Sequence, residues 1–503
     1  MPRMTPRASA YSAPTRGTCP FADTRIAFEL PVSETSMTRR DALKGAAGLA
    51  AFGALPAGAA ANGRDRVAII GAGAGGVAAA YFLAGSFDVD VFEARSRIGG
   101  HCDSRVITHR GRRITVDLSA QFFHPDTHPI YVTLLEELGL YDPEHPGADA
   151  TVEAPASLCI FRTAGGAPIF SSSHPLETPQ RAGDFALFTQ LARQAVLSDL
   201  SWETTDDAWI RGLPLQHAFK TDVLYPWISA TIGCTRGAAR RTSARSILQT
   251  FALAFPANLL ETPTTFNSKI GLQGNLQRML DRSPTARVHL RAPVRALCRG
   301  RGGWFLQTPA GRKGPYRHVV LNAPPRAGRE LLRPLPAFAD VTELLDVYRY
   351  FDSRLVVHSD PAYMHRDRGN WAAYNAGVRG PNAEGSAWLG ALQETSSSRA
   401  GVHVFKSWAT RRRADPKHIL LERRFKHPLI TRSTIKAARA LRPHQGRHGL
   451  YFSGYYTTGM DLQESALYSA MQVAEALAPG SRRLASLKTR LSARGRAGIS
   501  YDL

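Results

Sequence analysis

Arg66-Val-Ala-Ile-Ile-Gly71-Ala-Gly73-Ala-Gly75-Gly76 is the stretch that decides the fold. An apolar run ends in a glycine cluster and passes straight into the helix-forming Val77-Ala-Ala-Ala-Tyr81. The order predicts a buried strand, a tight turn and a helix. Gly71 permits the turn, Gly73 lets backbone approach a pyrophosphate, and Gly76 lets the helix pack closely on the sheet, so that the helix N-terminus faces phosphates. A second apolar run, Asp88-Val-Asp-Val-Phe-Glu93, ends in a carboxylate that can accept hydrogen bonds from a ribose diol. That carboxylate would repel a 2′-phosphate, which disfavours NADP. Arg97-Ile-Gly99-Gly100 follows, an arginine able to neutralise a pyrophosphate beside two residues small enough to leave room for it. The context that a glycine fingerprint needs is therefore present on both sides.

The chain of 503 residues is long enough for two or three domains, and its 44% hydrophobic and 21% charged content is ordinary for a globular enzyme. The net charge of +22 is not ordinary. It fits an arginine-rich solvated surface, with attraction to an anionic membrane through basic stretches as the alternative. No zinc-finger spacing or aromatic-rich RNA-binding motif is present, so nucleic acid is not an expected partner.

Residues 1–61 read as a leader. Thr38-Arg39-Arg40-Asp41-Ala-Leu-Lys44, the small apolar run from Gly45 to Leu55, and Ala59-Ala-Ala61 resemble a twin-arginine export signal with a small-residue cleavage site. The apolar run is too short for a permanent bilayer anchor. The expected location is periplasmic or extracellular, at the membrane periphery or free of it, with Met37 as the true start. Cys19 lies in the leader, and Cys102, Cys159, Cys234 and Cys298 lie apart with no C-x-x-C, so neither a disulfide framework nor a metal site is expected.

Periodicity divides the remainder. Residues 64–150 form the first part of a dinucleotide-binding domain, with Ile114-Thr-Val-Asp117-Leu-Ser-Ala-Gln121 as a further strand. Residues 151–265 form an inserted substrate domain, strand-like to residue 175 with a turn at Gly165-Gly166, then helical. The chain returns to the first domain over 266–333, where Pro293-Val294-Arg-Ala-Leu reads as a strand and His318-Val-Val-Leu-Asn-Ala323 as a buried parallel one. Residues 334–445 are the second part of the substrate domain and 446–480 the last part of the first. In that last part a helix begins near Leu462, with Asp461 and Glu464 at capping-box spacing. Residues 481–503 read as a basic, solvated tail.

Four separated motifs now agree in order: the fingerprint with Arg-Ile-Gly-Gly-His101, the Val-Asp117-Leu-Ser-Ala-Gln segment, Pro-Val294-Arg-Ala-Leu, and Tyr-Phe-Ser-Gly454 with its helix. Over residues 64–480 the chain resembles the flavin amine-oxidase superfamily, most of all its bacterial FAD-dependent oxidoreductase branch with Gly-Gly-His in place of Gly-Gly-Arg. The resemblance implies an α/β fold: a Rossmann-like FAD-binding domain of the two-dinucleotide-binding-domain flavoprotein type, with an inserted α+β substrate domain. It implies FAD, held by Gly71, Gly73 and Gly76 at the pyrophosphate, by Glu93 at the adenosine ribose and by Arg97 at the phosphates or the flavin side, with Gly75, Ala94, Gly99, Gly100 and His101 as further cofactor-binding residues. It places the Val294 backbone at the adenine, Gly454 and Tyr456 along the ribityl chain, and the helix start at Leu462 and Gln463 against the flavin ring. Two departures weigh against amine oxidation. Leu462 stands where monoamine oxidases carry a cage aromatic, and Arg329-Glu330 falls where their lysine is expected.

Flavin chemistry needs orientation and a dry site from the protein rather than a nucleophile or a metal. Candidate substrate-pocket residues are Gln121, Phe122, Trp371, Tyr374 and Tyr455. His124, just past a strand end, and Tyr456 are the candidates for a chemical role. The expected reaction is hydride transfer from a hydrophobic small molecule to flavin N5, with reoxidation by oxygen or a quinone. Two alternatives stay open: double-bond isomerisation of an unsaturated fatty acid, and a flavoprotein scaffold that binds an anionic membrane or partner through Arg411, Arg412, Arg413, Lys417, Arg423, Arg424 and Lys426.

Overall fold

The structure is a computed structural model and describes residues 64–145, 150–256, 261, 263–393, 401–495, 501 and 503. The export signal, Met37 and Cys19 lie outside the described residues.

A five-stranded parallel sheet collects its strands from the whole length of the chain. Its order is Leu450–Phe452, His318–Leu321, Arg66–Ile70, Asp88–Phe92, Ala286–His289. Near-continuous apolar runs suit Arg66–Ile70 and His318–Leu321 in the interior of the sheet, because both faces are covered. Helix Ala74–Leu83, wholly buried, packs on one face with helices Gly271–Asp281 and Gln463–Leu477. On the other face Leu297, Trp304, Leu306 and Tyr316 of a three-stranded antiparallel sheet share a core with Ala68, Ile70 and Leu321. Helices Ala339–Asp346 and Arg432–Leu441 send Val341, Leu345, Ala437 and Leu441 into that same core.

A seven-stranded mixed sheet forms the second layer system, in the order Ile419–Pro428, Tyr350–His358, Phe405–Trp408, Asn382–Trp388, Tyr374–Arg379, Leu158–Arg162, Phe170–Ser171. Its register sets Lys406 opposite Ala387 and Val357, Ala387 opposite Tyr374, and Trp408 opposite Leu355. Alternation then places Lys406, Trp408, Ala387 and Tyr374 on one face of the sheet. Part of that sheet is covered by helices Pro179–Leu197, Tyr225–Ile232 and Ala244–Phe251, whose apolar side chains pack with Leu158, Ile160 and Ala376. The fold is thus an α/β dinucleotide-binding unit joined to an α+β unit.

Three local expectations are corrected. The tail is not a solvated end: Arg482–Ala493 is a helix whose Leu484, Leu487 and Leu491 are buried against the first unit. Ser481 caps it by accepting from Leu484 N, and Arg483 donates to Tyr81 O. Three leucines at spacings of three and four make a buried stripe that the surrounding arginines obscure in composition. Asp461 and Glu464 do not form a capping box. Leu462 is the N-cap of helix Gln463–Leu477, while the Glu464 carboxylate accepts from Ile130 N (2.9 Å) and Tyr131 N (2.8 Å) and so caps the neighbouring helix Pro129–Glu137. Pro293 and Val294 precede the strand Ala296–Gly300 rather than belonging to it, because proline lacks the ladder donor.

Candidate cofactor and active site

The glycine turn has the geometry its sequence predicts. Gly71 takes φ +103°, and a Cβ there would stand 2.9 Å from Asn322 O. At Gly76 a Cβ would lie 2.0 Å from Gly71 O, so only glycine lets the helix close on the turn. Gly99 and Gly100, both left-handed, fold back so that a Cβ on Gly100 would sit 3.2 Å from Gly73 Cα. Two strips of bare backbone therefore face one space, with Gly73, the N-cap of helix Ala74–Leu83, carrying no side chain to close it. Glu93 accepts from Ala72 N and Arg95 N, each at 2.9 Å, which latches its carboxylate to the turn while it lines that space.

The space is a cavity of about 1300 Å³. Its size exceeds the range of roughly 300–1,000 Å³ usual for one small ligand, so it has room for a dinucleotide and a second molecule. Gly71, Gly73, Gly75, Glu93, Ala94 and Val294 form one end, with Gly99, Gly100 and His101 beside them. Gly454, Tyr455, Tyr456, Leu462 and Gln463 line the cavity as well, as do Gln121, Phe122 and Tyr374. The cavity is also lined by Phe170, Phe185, Trp227, Phe251 and Phe255 from the unit of the seven-stranded sheet, whose rings contact one another at centroid distances of 4.8 to 6.4 Å.

Several expected site residues fall elsewhere. His124 does not line the cavity: its Nδ1 accepts from Asp126 N at 3.1 Å and its ring packs beside Phe266. One turn on, the buried His128 lines the cavity instead, and burial pushes its imidazole down to about 3. Trp371 is also outside, its Nε1 donating to His365 O and its ring packed on Phe405 and Trp388. Arg97 props the loop rather than facing a phosphate, donating to Ile98 O and Gly100 O at 2.9 Å and pairing with Asp103 at 2.8 Å. Arg95 lines the cavity in its place. Gly76 is a packing glycine behind the turn. Tyr456 lines the cavity, but its hydroxyl donates to Leu321 O at 2.5 Å, which makes it a brace between two segments rather than an acid or base.

Within the basic stretch Arg411 and Arg412 turn inward, while Arg413, Lys417, Arg424 and Lys426 are exposed. Arg411 donates to Gly233 O and Cys234 O, Arg412 to Glu384 O, and both lie 3.7 Å from the buried Glu384 carboxylate. Arg423, Arg424 and Lys426 pair with Asp103, Glu422 and Asp352. Cys102, Cys159, Cys234 and Cys298 are separate buried thiols.

Other groups that line the cavity have no local sequence signature. Lys406, on the inner face of the seven-stranded sheet, donates from Nζ to Asp117 O at 2.7 Å. Burial pushes its amine down and the neighbouring Asp117 carboxyl up, the latter held by Ser104 Oγ and Leu272 N. His101, His427 and Asp461 converge from three distant segments. The two imidazoles stack at 5.3 Å between centroids. Burial lowers His101 to about 4, helped by Arg95 and Arg97, lowers His427 to about 3, and raises Asp461 to about 7. The signal for these groups is long-range strand register and helix placement, which short patterns do not carry.

The sequence profile described as flavin-containing amine oxidoreductase matches residues 74–422. No curated protein sequence matches the chain. Solved structures share its fold at low identity. A CLA-producing fatty acid isomerase from P. acnes has a TM-score of 0.56 at 15% identity, with 82% of this chain and 98% of that chain covered. A double mutant of putrescine oxidase has a TM-score of 0.54 at 16% identity, with 82% and 99% covered. A candidate protoporphyrinogen oxidase from Exiguobacterium sp. 255-15 has a TM-score of 0.54 at 17% identity, with 82% and 98% covered.

Proposed function

The chain belongs to the flavin-containing amine oxidoreductase family, which makes it a flavin-dependent oxidoreductase that uses FAD, and from that premise we propose that its substrate is an apolar small molecule rather than a polar amine. The residues present fit the cofactor: Gly73 and Gly100 expose backbone where a side chain would fill the cradle, and Glu93 stands at the ribose end. Bound FAD supplies the two-electron acceptor. The chain's own groups supply position and environment. Helix Gln463–Leu477 opens onto the cavity at Leu462 and Gln463, so its positive dipole end faces the site. Gln463 Nε2 donates to Phe122 O at 3.1 Å, which ties the Phe122 segment to the helix start, and the Phe122 ring packs on Tyr374. Tyr374, half-buried, lines the same cavity.

The observation that carries this reading is the aromatic lining. Phe170, Phe185, Trp227, Phe251 and Phe255 give the cavity a contiguous aromatic wall suited to a hydrocarbon. Leu462 at the helix start agrees, because an aliphatic side chain offers no cation–π face to an ammonium group. Oxygen or a quinone completes the proposed cycle. The same arrangement suits double-bond isomerisation of an unsaturated fatty acid, and the product separates the two: oxidation removes two hydrogens and isomerisation conserves mass. The test is anaerobic bleaching of the purified flavoprotein by a panel of amines, polyunsaturated fatty acids and terpenoids, with product mass measured. Bleaching by amines alone would overturn the reading. We also propose membership of the Gly-Gly-His branch and twin-arginine export. A mature N-terminus near Ala61, read by mass spectrometry from a periplasmic fraction, checks the second. Among the described residues no helix is long and apolar enough to cross a membrane.

A further inference from the structure

Two residues past the helix Arg482–Ala493 return to the segment that leads into helix Gln463–Leu477. Tyr501 is 3% exposed, its ring set edge-on to Tyr468 at 5.3 Å between centroids. The Tyr501 hydroxyl donates to Glu464 Oε1 at 3.1 Å. Leu503 packs at Gly459, where an added Cβ would stand 2.7 Å from Leu503 Cδ2 and 2.5 Å from Trp202 Cε3. The contacts thus fall at residues 459 and 464, on either side of Asp461, Leu462 and Gln463, which line the cavity. Tyr501 and Leu503 do not line it themselves, so any effect they have on it passes through those two residues.

We propose that Tyr501 is a positioning residue for the cofactor: through Glu464 it sets the start of helix Gln463–Leu477, so FAD affinity depends on the last residues of the chain. Glu464 gives the contact its leverage. Its carboxylate is fully buried and makes no ion pair among the described residues, so hydrogen bonds alone hold it. Ile130 N and Tyr501 share Oε1, and Tyr131 N takes Oε2. Burial pushes the carboxyl up to about 7, against the pull of those three bonds. Bonds to an ionised acceptor are stronger than neutral ones, and a buried carboxylate that loses a donor must shift or take up a proton. Glu464 is the second residue of its helix, so a shift of its carboxylate displaces the first turn. Leu462 and Gln463 move with that turn, and with them the bond from Gln463 Nε2 to Phe122 O. Leu503 and Trp202 press on Gly459 and hold the approach to the same three residues.

The test compares the full protein with Tyr501→Phe and with a chain that stops at residue 495, which keeps helix Arg482–Ala493. FAD is removed and titrated back, and the visible flavin spectrum is recorded at saturation. The shortened chain should bind FAD about tenfold more weakly, with shifted flavin bands. Tyr501→Phe keeps the ring and removes the donor, so it should weaken binding by about threefold to fivefold. In a Glu464→Gln background most of that effect should vanish, because the amide carries no charge for the hydroxyl to hold. Arg482→Ala, exposed on the preceding helix, should leave affinity and spectrum as they were. A tail that only adds stability would lower the thermal midpoint and leave FAD affinity alone. Unchanged FAD affinity in Tyr501→Phe therefore overturns the proposal, and so does an effect of equal size in the Glu464→Gln background. Because FAD binding is read without substrate, this outcome is separate from the identity of the molecule oxidised.

Discussion

Replacing Gly76 with alanine puts the cofactor cradle under direct strain. The added Cβ would lie 2.0 Å from Gly71 O and 2.8 Å from Asn322 Nδ2. Carbon and carbonyl oxygen do not pack closer than about 3 Å, so turn and helix must separate by about 1 Å. Both sides are held: Gly71 N donates to Phe92 O at 2.8 Å, and the helix is buried along its whole length. Overpacking of this kind costs about 1–3 kcal/mol. The free protein can relieve the strain by opening the turn, whereas the FAD-bound protein needs it closed, so much of the cost falls on binding. FAD affinity should drop by about tenfold to a hundredfold, together with a lower thermal midpoint. The control is Gly183→Ala, in the interior of helix Pro179–Leu197 with nothing within 4 Å of the added carbon. That substitution should stabilise by about 0.5–1 kcal/mol through helix propensity. Titration of apoprotein with FAD and thermal melts of both variants decide the matter. Wild-type affinity and midpoint in Gly76→Ala would refute the argument.

Further outcomes follow from the same structure. Tyr456→Phe removes only the brace to Leu321 O, so it should cost about 1 kcal/mol and keep the flavin reducible; a loss of reduction with FAD still bound would restore Tyr456 to the chemistry. Leu487→Ala should cost about 2–5 kcal/mol and release the helix Arg482–Ala493, seen as faster tryptic cleavage at Arg490, and an unchanged digest would count against the docked tail. Asp206 is buried, accepts from the Thr242 hydroxyl, and is pushed by burial up to about 7. Its native state holds the proton more tightly than the unfolded chain, so its contribution is greatest below about pH 4 and is lost as pH rises to about 7. Urea midpoints between pH 5 and pH 8 should therefore fall more steeply in the wild type than in Asp206→Asn, and parallel profiles would refute the assignment.

The sequence by itself determined the parallel sheet and the glycine turn with Glu93 at one part of the cavity. Gly71, Gly76, Glu93 and the apolar runs are local in character: a positive φ, a close helix approach and two-sided burial each leave a mark within a few residues. The helix start at Leu462 and Gln463 was legible for the same reason. Tertiary structure alone decided the rest. His101 stands more than three hundred residues before His427 and Asp461, and Lys406 faces the cavity only because its strand pairs in one register rather than the next. Glu464 caps a helix from another part of the chain, where its spacing to Asp461 suggested its own. His124 and Trp371 failed as site residues because strand-end position and aromatic character do not fix which way a side chain points. Direction is set by packing against distant neighbours, here Phe266 for one and Phe405 for the other, and a chain carries that information only when folded.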